Sequence, residues 1–210
     1  MTETELKKFL TALFNAYPKP KCELNWTNPF TLLVAIILSA QSTDKGVNKI
    51  TPALFELADT PEKMLRLGPD GVTRQVRSLN YFNNKTKSIL ALSEILVEKF
   101  NGVVPTDFDT LLELPGIGRK TASVFLNVLL HKPYIGVDTH VFRLVHRLGI
   151  CGGKNPQEVE ENLKKVIPIK YQADIALALV LLGRYICTAK KLKCAECPVF
   201  KACCAKEKIC

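Results

Sequence analysis

Leu111-Leu-Glu-Leu-Pro-Gly-Ile-Gly-Arg-Lys-Thr-Ala122 is the stretch on which the fold turns. It predicts a short helix running into Leu114, a break at Pro115 and Gly116, and a second helix starting near Arg119. Ala122, Phe125, Leu126 and Leu129 then form one apolar stripe at helical spacing. Gly118 permits a tight backbone between the helices, and small glycines let a ligand approach the main chain. Unpaired N–H groups at the second helix start, together with its dipole, suit a phosphate, and Arg119 adds charge. An ordinary helical hairpin turn fits the same residues, because Pro-Gly is a common turn pair. Lys120 falls in the first turn of the second helix, where a cation opposes the dipole. With Arg119 beside it and burial in a cleft, the neutral amine would be favoured, the form a nucleophile needs. A solvated lysine on a basic face is the plain alternative.

Outward from the hairpin the helical period dominates. Leu6, Phe9, Leu10, Leu13 and Phe14 form one stripe, and Val141, Leu144, Val145 and Leu148 another. Thr60-Pro61 and Asn155-Pro156 each place a capping residue before a proline suited to the first helical position, and Glu158 completes the spacing of a capping box. Asp138, in Val137-Asp-Thr-His140, opens a helix, where an aspartate is ordinarily a cap; His140 reads as structural. No convincing period-2 pattern appears, so an all-α chain of about ten helices is expected.

The 210 residues carry 29 Lys and Arg against 20 Asp and Glu, a net charge of +9 that suits a polyanion, either nucleic acid or an acidic membrane surface. The N-terminus, with Glu3 and Glu5 and no long apolar core, does not read as a signal peptide. The apolar runs Phe30–Ala40 and Ala173–Leu182 are well short of the ~20 residues of a membrane span and read as buried helices. An intracellular protein with reduced thiols is expected.

From Arg184 onward the composition shifts: seven basic residues face Glu196 and Glu207, and six of the eight cysteines fall there. Such a tail has too few large apolar residues to hold itself together by burial. Cys187, Cys194, Cys197 and Cys203 have the spacing C-x6-C-x2-C-x5-C, which can converge on one metal centre. Disulfides are disfavoured in a reducing compartment. Zinc and an iron–sulfur cluster stand level on spacing alone, and Cys204 competes with Cys203 as fourth ligand. Cys22, Cys151 and Cys210 read as structural or incidental thiols.

Leu114-Pro-Gly-Ile-Gly-Arg-Lys-Thr-Ala122, Val137-Asp-Thr-His140, the four cysteines and Leu38-Ser-Ala-Gln-Ser-Thr-Asp44 together resemble the endonuclease III family of DNA glycosylase/AP lyases, within the helix-hairpin-helix glycosylase superfamily. The resemblance runs in order over nearly the whole chain. It implies a two-domain all-α fold. Residues 22–132 would form a six-helix domain containing the helix-hairpin-helix (about 108–127). Residues 1–21 plus 133–210 would form an iron–sulfur domain, with Cys187, Cys194, Cys197 and Cys203 holding a [4Fe–4S] cluster. Duplex DNA with a damaged base or abasic site would lie across the cleft between domains, bound by a monomer.

The resemblance also implies the chemistry. Lys120 attacks the sugar C1′ and displaces an oxidised or ring-saturated pyrimidine, Asp138 stabilises the positive charge that develops, and β-elimination through a Schiff base cuts the strand. Relatives that only remove the base lack the lysine and usually carry a further C-terminal domain. Gln41 matches a glutamine inserted into the gap left by the flipped base. Tyr81 falls where family members often carry Leu or Phe after a Gly; here that Gly is Asn80. Gly116, Gly118, Arg119 and the basic loop of Lys190, Lys191 and Lys193 would contact phosphates.

Overall fold

The computed structural model describes residues 1–206, so Cys210, with Glu207 and Lys208, lies outside them. The described residues form ten α-helices and two short 3-10 turns, with one isolated antiparallel bridge between Cys187 and Leu192. The chain is all-α, as the helical periods predict. It divides into two compact units, residues 23–130 and residues 1–22 plus 131–210.

The first unit holds α2 (Pro29–Ser39), α3 (Asp44–Leu57), α4 (Pro61–Val76), α5 (Phe82–Phe100), α6 (Phe108–Leu112) and α7 (Arg119–Leu130). Its centre is α2, started by an Asn28 cap box with Thr31 and by Pro29 in the first turn. Every residue from Phe30 to Leu38 is buried, so this stretch of the helix has no solvent face. It packs against α3, α5 and α7, and α4 lies along α3 and α5. Leu32, Leu33 and Leu38 are wholly buried, and each such side chain contributes about 1.5–3 kcal/mol. Gly68, with a φ of 70°, breaks α4 into two segments before Pro69.

The second unit holds α1 (Glu3–Ala16), α8 (Thr139–Leu148), α9 (Pro156–Val166) and α10 (Ile169–Tyr185), followed by 3-10 turns at Cys194–Glu196 and Phe200–Ala202. Phe9, Leu10 and Leu13 of α1 share one core with Val141, Leu144, Val145 and Leu148 of α8 and Leu179 of α10. No helix among the described residues is long and apolar enough to cross a membrane.

Two local expectations are corrected. The helix before the hairpin ends at Leu112 rather than Leu114, because the chain tightens into shorter-range bonds as it approaches Pro115. Glu113 donates its N–H to Thr110 and Leu111 carbonyls, and Leu114 donates to Leu111. At the start of α9 the Asn155 side chain accepts from the Glu158 N–H as expected. The Glu158 carboxylate, however, accepts from the Lys154 N–H and the Asn155 side-chain amide, so the reciprocal bond falls one residue early.

Candidate active site

The turn between α6 and α7 assigns different roles to its two glycines. Gly116 adopts a left-handed φ of 76°, and a Cβ there would sit 2.9 Å from Cβ of Ser88. Gly118 is not left-handed, and a Cβ there would meet nothing within 4 Å. The tight backbone expected at Gly118 therefore lies at Gly116, and Gly118 leaves an open approach to the start of α7. Gly116→Ala is expected to lower stability by about 1–2 kcal/mol, and Gly118→Ala by less than about 0.5 kcal/mol. Thermal melts of the two variants check this; equal midpoints would contradict it.

Arg119 and Lys120 are both exposed in the first turn of α7. The Arg119 guanidinium lies 5.2 Å from the centre of the Phe108 ring, which anchors it to the start of α6. Lys120 is not buried, so the burial invoked to favour its neutral amine is not present in this structure.

Asp138 is the N-cap of α8, its Oδ1 accepting from the Val141 N–H at 2.8 Å. The carboxylate is half-buried. The capping role is thus real, and it also fixes the carboxylate's position. His140 Nδ1 lies 3.3 Å from Arg143 Nη2. Arg143 also donates to the Gly183 and Cys187 carbonyls at 2.8 and 3.1 Å. Burial holds the Arg143 guanidinium below its ordinary value, the positive charge of Arg147 acting in the same direction.

Gln41 and Tyr81 are brought together in the first unit. Both have left-handed backbones, with φ of 51° and 58°. Tyr81 is 61% exposed and caps α5 without a side-chain bond. Asn80 Nδ2 donates to the Gln41 carbonyl at 2.9 Å. Four residues on, Lys85 is buried and its Nζ donates to Ser42 Oγ at 2.7 Å. Burial pushes the Lys85 ammonium below its ordinary value.

Cys187, Cys194, Cys197 and Cys203 line one cavity, walled by Leu148, Leu182, Ile186 and Phe200. All four are free, half-buried thiols. Cys204 is exposed and does not line the cavity. Burial raises the Cys197 thiol above its ordinary value, against an opposing backbone hydrogen bond at Val199, and the nearby Cys203, Cys187 and Cys194 sulfurs act in the upward direction. Arg147 Nη1 donates to the Thr188 carbonyl at 2.8 Å and to Cys187 Sγ at 3.4 Å. Among the described residues, no three His, Cys, Asp or Glu side chains close on a single ion position. Between Cys187 and Leu192 the chain turns back on itself, the Lys191 N–H donating to Thr188 Oγ1, and Lys190, Lys191 and Lys193 are all exposed.

Sequence reasoning missed Arg143, Arg147 and Lys85, and it named Asn80 without its bond to Gln41. Arg143 and Arg147 sit four apart on α8, off its apolar stripe, a spacing that marks one helix face. Lys85 falls on the stripe of Ile89, Leu92 and Leu96, where a lysine must find a partner. Nothing local signals the bond that Asn80 makes, because its partner is 39 residues away.

Comparison with known proteins places the chain. The family description "HhH-GPD superfamily base excision DNA repair protein" matches residues 34–169. Endonuclease III of Rickettsia conorii is 48% identical over 186 residues, covering 89% of each chain. Endonuclease III of Escherichia coli K12 is 44% identical over 209 residues, covering 100% of this chain and 99% of its own. An endonuclease III trapped as a covalent intermediate with DNA superposes with a TM-score of 0.90 at 39% identity, covering 97% of this chain and 96% of its own. A non-covalent endonuclease III–DNA complex gives 0.91 at 39% identity, covering 97% and 95%. A thermostable thymine-DNA glycosylase at 22% identity shares the fold, with a TM-score of 0.81. This chain belongs to the endonuclease III family of DNA glycosylase/AP lyases, within the HhH-GPD superfamily of base excision DNA repair proteins.

Proposed function

We propose that this chain excises oxidised or ring-saturated pyrimidines from duplex DNA and cuts the strand with Lys120 as nucleophile and Asp138 as its carboxylate partner. The observation that carries the assignment is the position of Lys120: exposed in the first turn of α7, directly after the Gly116–Gly118 turn, in a chain of this family. The damaged base must first leave the stack. The neutral Lys120 amine attacks C1′, and the bond from C1′ to the base breaks. The base departs with the electron pair and takes up a proton, and the amine loses one. Asp138, held by its cap bond, stabilises positive charge on the sugar as that bond breaks. Ring opening gives an imine, which acidifies the C2′ proton. Loss of that proton expels the 3′ phosphate and cuts the strand, and water then hydrolyses the imine to the unsaturated aldehyde and the free Lys120 amine.

A labelled duplex carrying one thymine glycol tests the reaction. The expected product is a shortened strand ending in an unsaturated aldehyde, formed without added alkali. A base-free but intact strand would overturn the lyase half of the assignment.

The four cavity thiols fit a [4Fe–4S] cluster. They face one apolar-walled space, none is paired in a disulfide, and Arg147 offers an N–H to the Cys187 sulfur, a bond that a thiolate would strengthen. Cys187, Cys194, Cys197 and Cys203 would hold it, and Cys204 would not. When bound, the cluster would supply a covalent staple for a segment with little apolar surface of its own. On this reading residues 22–132 are the six-helix domain and residues 1–21 plus 133–210 the iron–sulfur domain.

Gln41 and Tyr81 would fill the gap left by the flipped base in a monomer bound to nucleoid DNA in the cytoplasm. Gly116, Gly118 and Arg119 would meet the backbone on one side of the lesion, and Lys190, Lys191 and Lys193 would contact phosphates from the cluster loop. Replacing those three lysines with alanine is expected to reduce the slope of log affinity against log salt by about one for each phosphate no longer neutralised, with no change in lesion preference. Salt titrations of duplex binding check this, and an unchanged slope would remove the loop from the interface.

A further inference from the structure

Two residues proposed to enter the gap, Gln41 and Tyr81, stand in a backbone conformation that side-chain-bearing residues rarely adopt. Such conformations are costly and persist only where surrounding contacts over-determine them. The structure shows two such contacts, and both tie the segment of Gln41 and Ser42 to the start of α5. Asn80 Nδ2 donates to the Gln41 carbonyl at 2.9 Å, and the buried Lys85 Nζ donates to Ser42 Oγ at 2.7 Å. A buried ammonium is costly to keep without a partner, so Lys85 strongly favours the arrangement that supplies Ser42. Asn80 stands immediately before Tyr81 and bonds to the main chain of Gln41 itself, leaving the glutamine side chain uncommitted by this bond.

We infer that Asn80 and Lys85 are positioning residues that lock Gln41 and Tyr81 into one pre-built plug, ready to enter the duplex as the damaged base leaves. This rests on the gap-filling assignment of Gln41 and Tyr81. A plug assembled before binding does not have to be ordered during base extrusion, so the lock acts on the opening step. Substrates that need no opening are indifferent to it. An abasic site in single-stranded DNA is one, because there is no partner strand and no gap to fill.

The test compares wild type, Asn80→Ala, Gln41→Ala and the double variant under single-turnover conditions. The substrates are a thymine glycol duplex and a single-stranded abasic oligonucleotide, and 2-aminopurine opposite the lesion reports opening. Asn80→Ala is expected to slow opening and base release about fivefold, the factor one neutral hydrogen bond of ordinary net strength is worth. Cutting of the single strand should be unchanged. In the Gln41→Ala background the same substitution should have no further effect. Lys85→Met, which keeps the stem and removes the bond, should show the same substrate pattern, with circular dichroism confirming its fold.

If Gln41→Ala itself opens the duplex at the wild-type rate, the gap-filling assignment fails and the lock falls with it. If Gln41→Ala is slow but Asn80→Ala matches wild type, the lock alone is refuted. Equal slowing of Asn80→Ala on both substrates also refutes it, since that is the signature of a general loss of structure.

Discussion

Lys120→Gln is expected to lose base release and strand cutting by about 10⁴-fold or more, while the protein folds and binds duplex as before. The size follows from the role: removing a covalent nucleophile deletes the bond-forming group rather than weakening an interaction. The absence of a structural penalty follows from position. Lys120 is exposed, so its replacement leaves the packing intact. It also sits in the first turn of α7, where a cation opposes the helix dipole, so glutamine is neutral or slightly stabilising there. Thermal midpoint and duplex affinity should therefore match wild type while incision falls to the background of the buffer. Incision within tenfold of wild type would mean that another amine performs the attack.

Asp138→Asn is expected to reduce base release by about 10²- to 10³-fold with little change in stability, the range seen when one group stabilising developing charge is removed. The capping role makes this substitution informative. Oδ1 of Asp138 accepts from the Val141 N–H, and asparagine caps a helix about as well as aspartate. The amide keeps the cap and discards the charge. Asp138→Ala discards both and should lose about 1 kcal/mol of stability as well. If the two variants are equally inactive and only the alanine melts early, the carboxylate's charge serves the reaction and its oxygen serves the helix. An active Asp138→Asn protein would reduce Asp138 to a cap.

Much of the fold could be read in advance because its signals are local. Thr60 and Asn155 both cap the helices whose proline follows them, and the stripe of Val141, Leu144, Val145 and Leu148 is wholly buried. The apolar run at Phe30 gives an eleven-residue helix, far too short for a bilayer and buried from Phe30 to Leu38. What escaped the sequence depends on distant partners. Gly116 rather than Gly118 carries the left-handed backbone, and there Ser88, on another helix, leaves no room for a Cβ. Spacing alone does not separate adjacent Cys203 and Cys204; in the structure Cys203 lines the cavity and Cys204 is exposed. Arg147 meets Cys187 and Asn80 meets Gln41 across 40 and 39 residues, and neither pair has a spacing rule. The cleft burial expected of Lys120 was inferred from its chemistry, and the side chain is exposed.

Borohydride reduction during reaction with a thymine glycol duplex, followed by mass spectrometry of the digested protein, tests the central assignment most directly. Reduction freezes the imine as a stable protein–DNA cross-link. The account predicts one cross-linked peptide, carrying the sugar remnant on Lys120, and none from Lys120→Gln. A cross-link at another lysine or at the N-terminal amine, or none from a protein that cuts the strand, would contradict it.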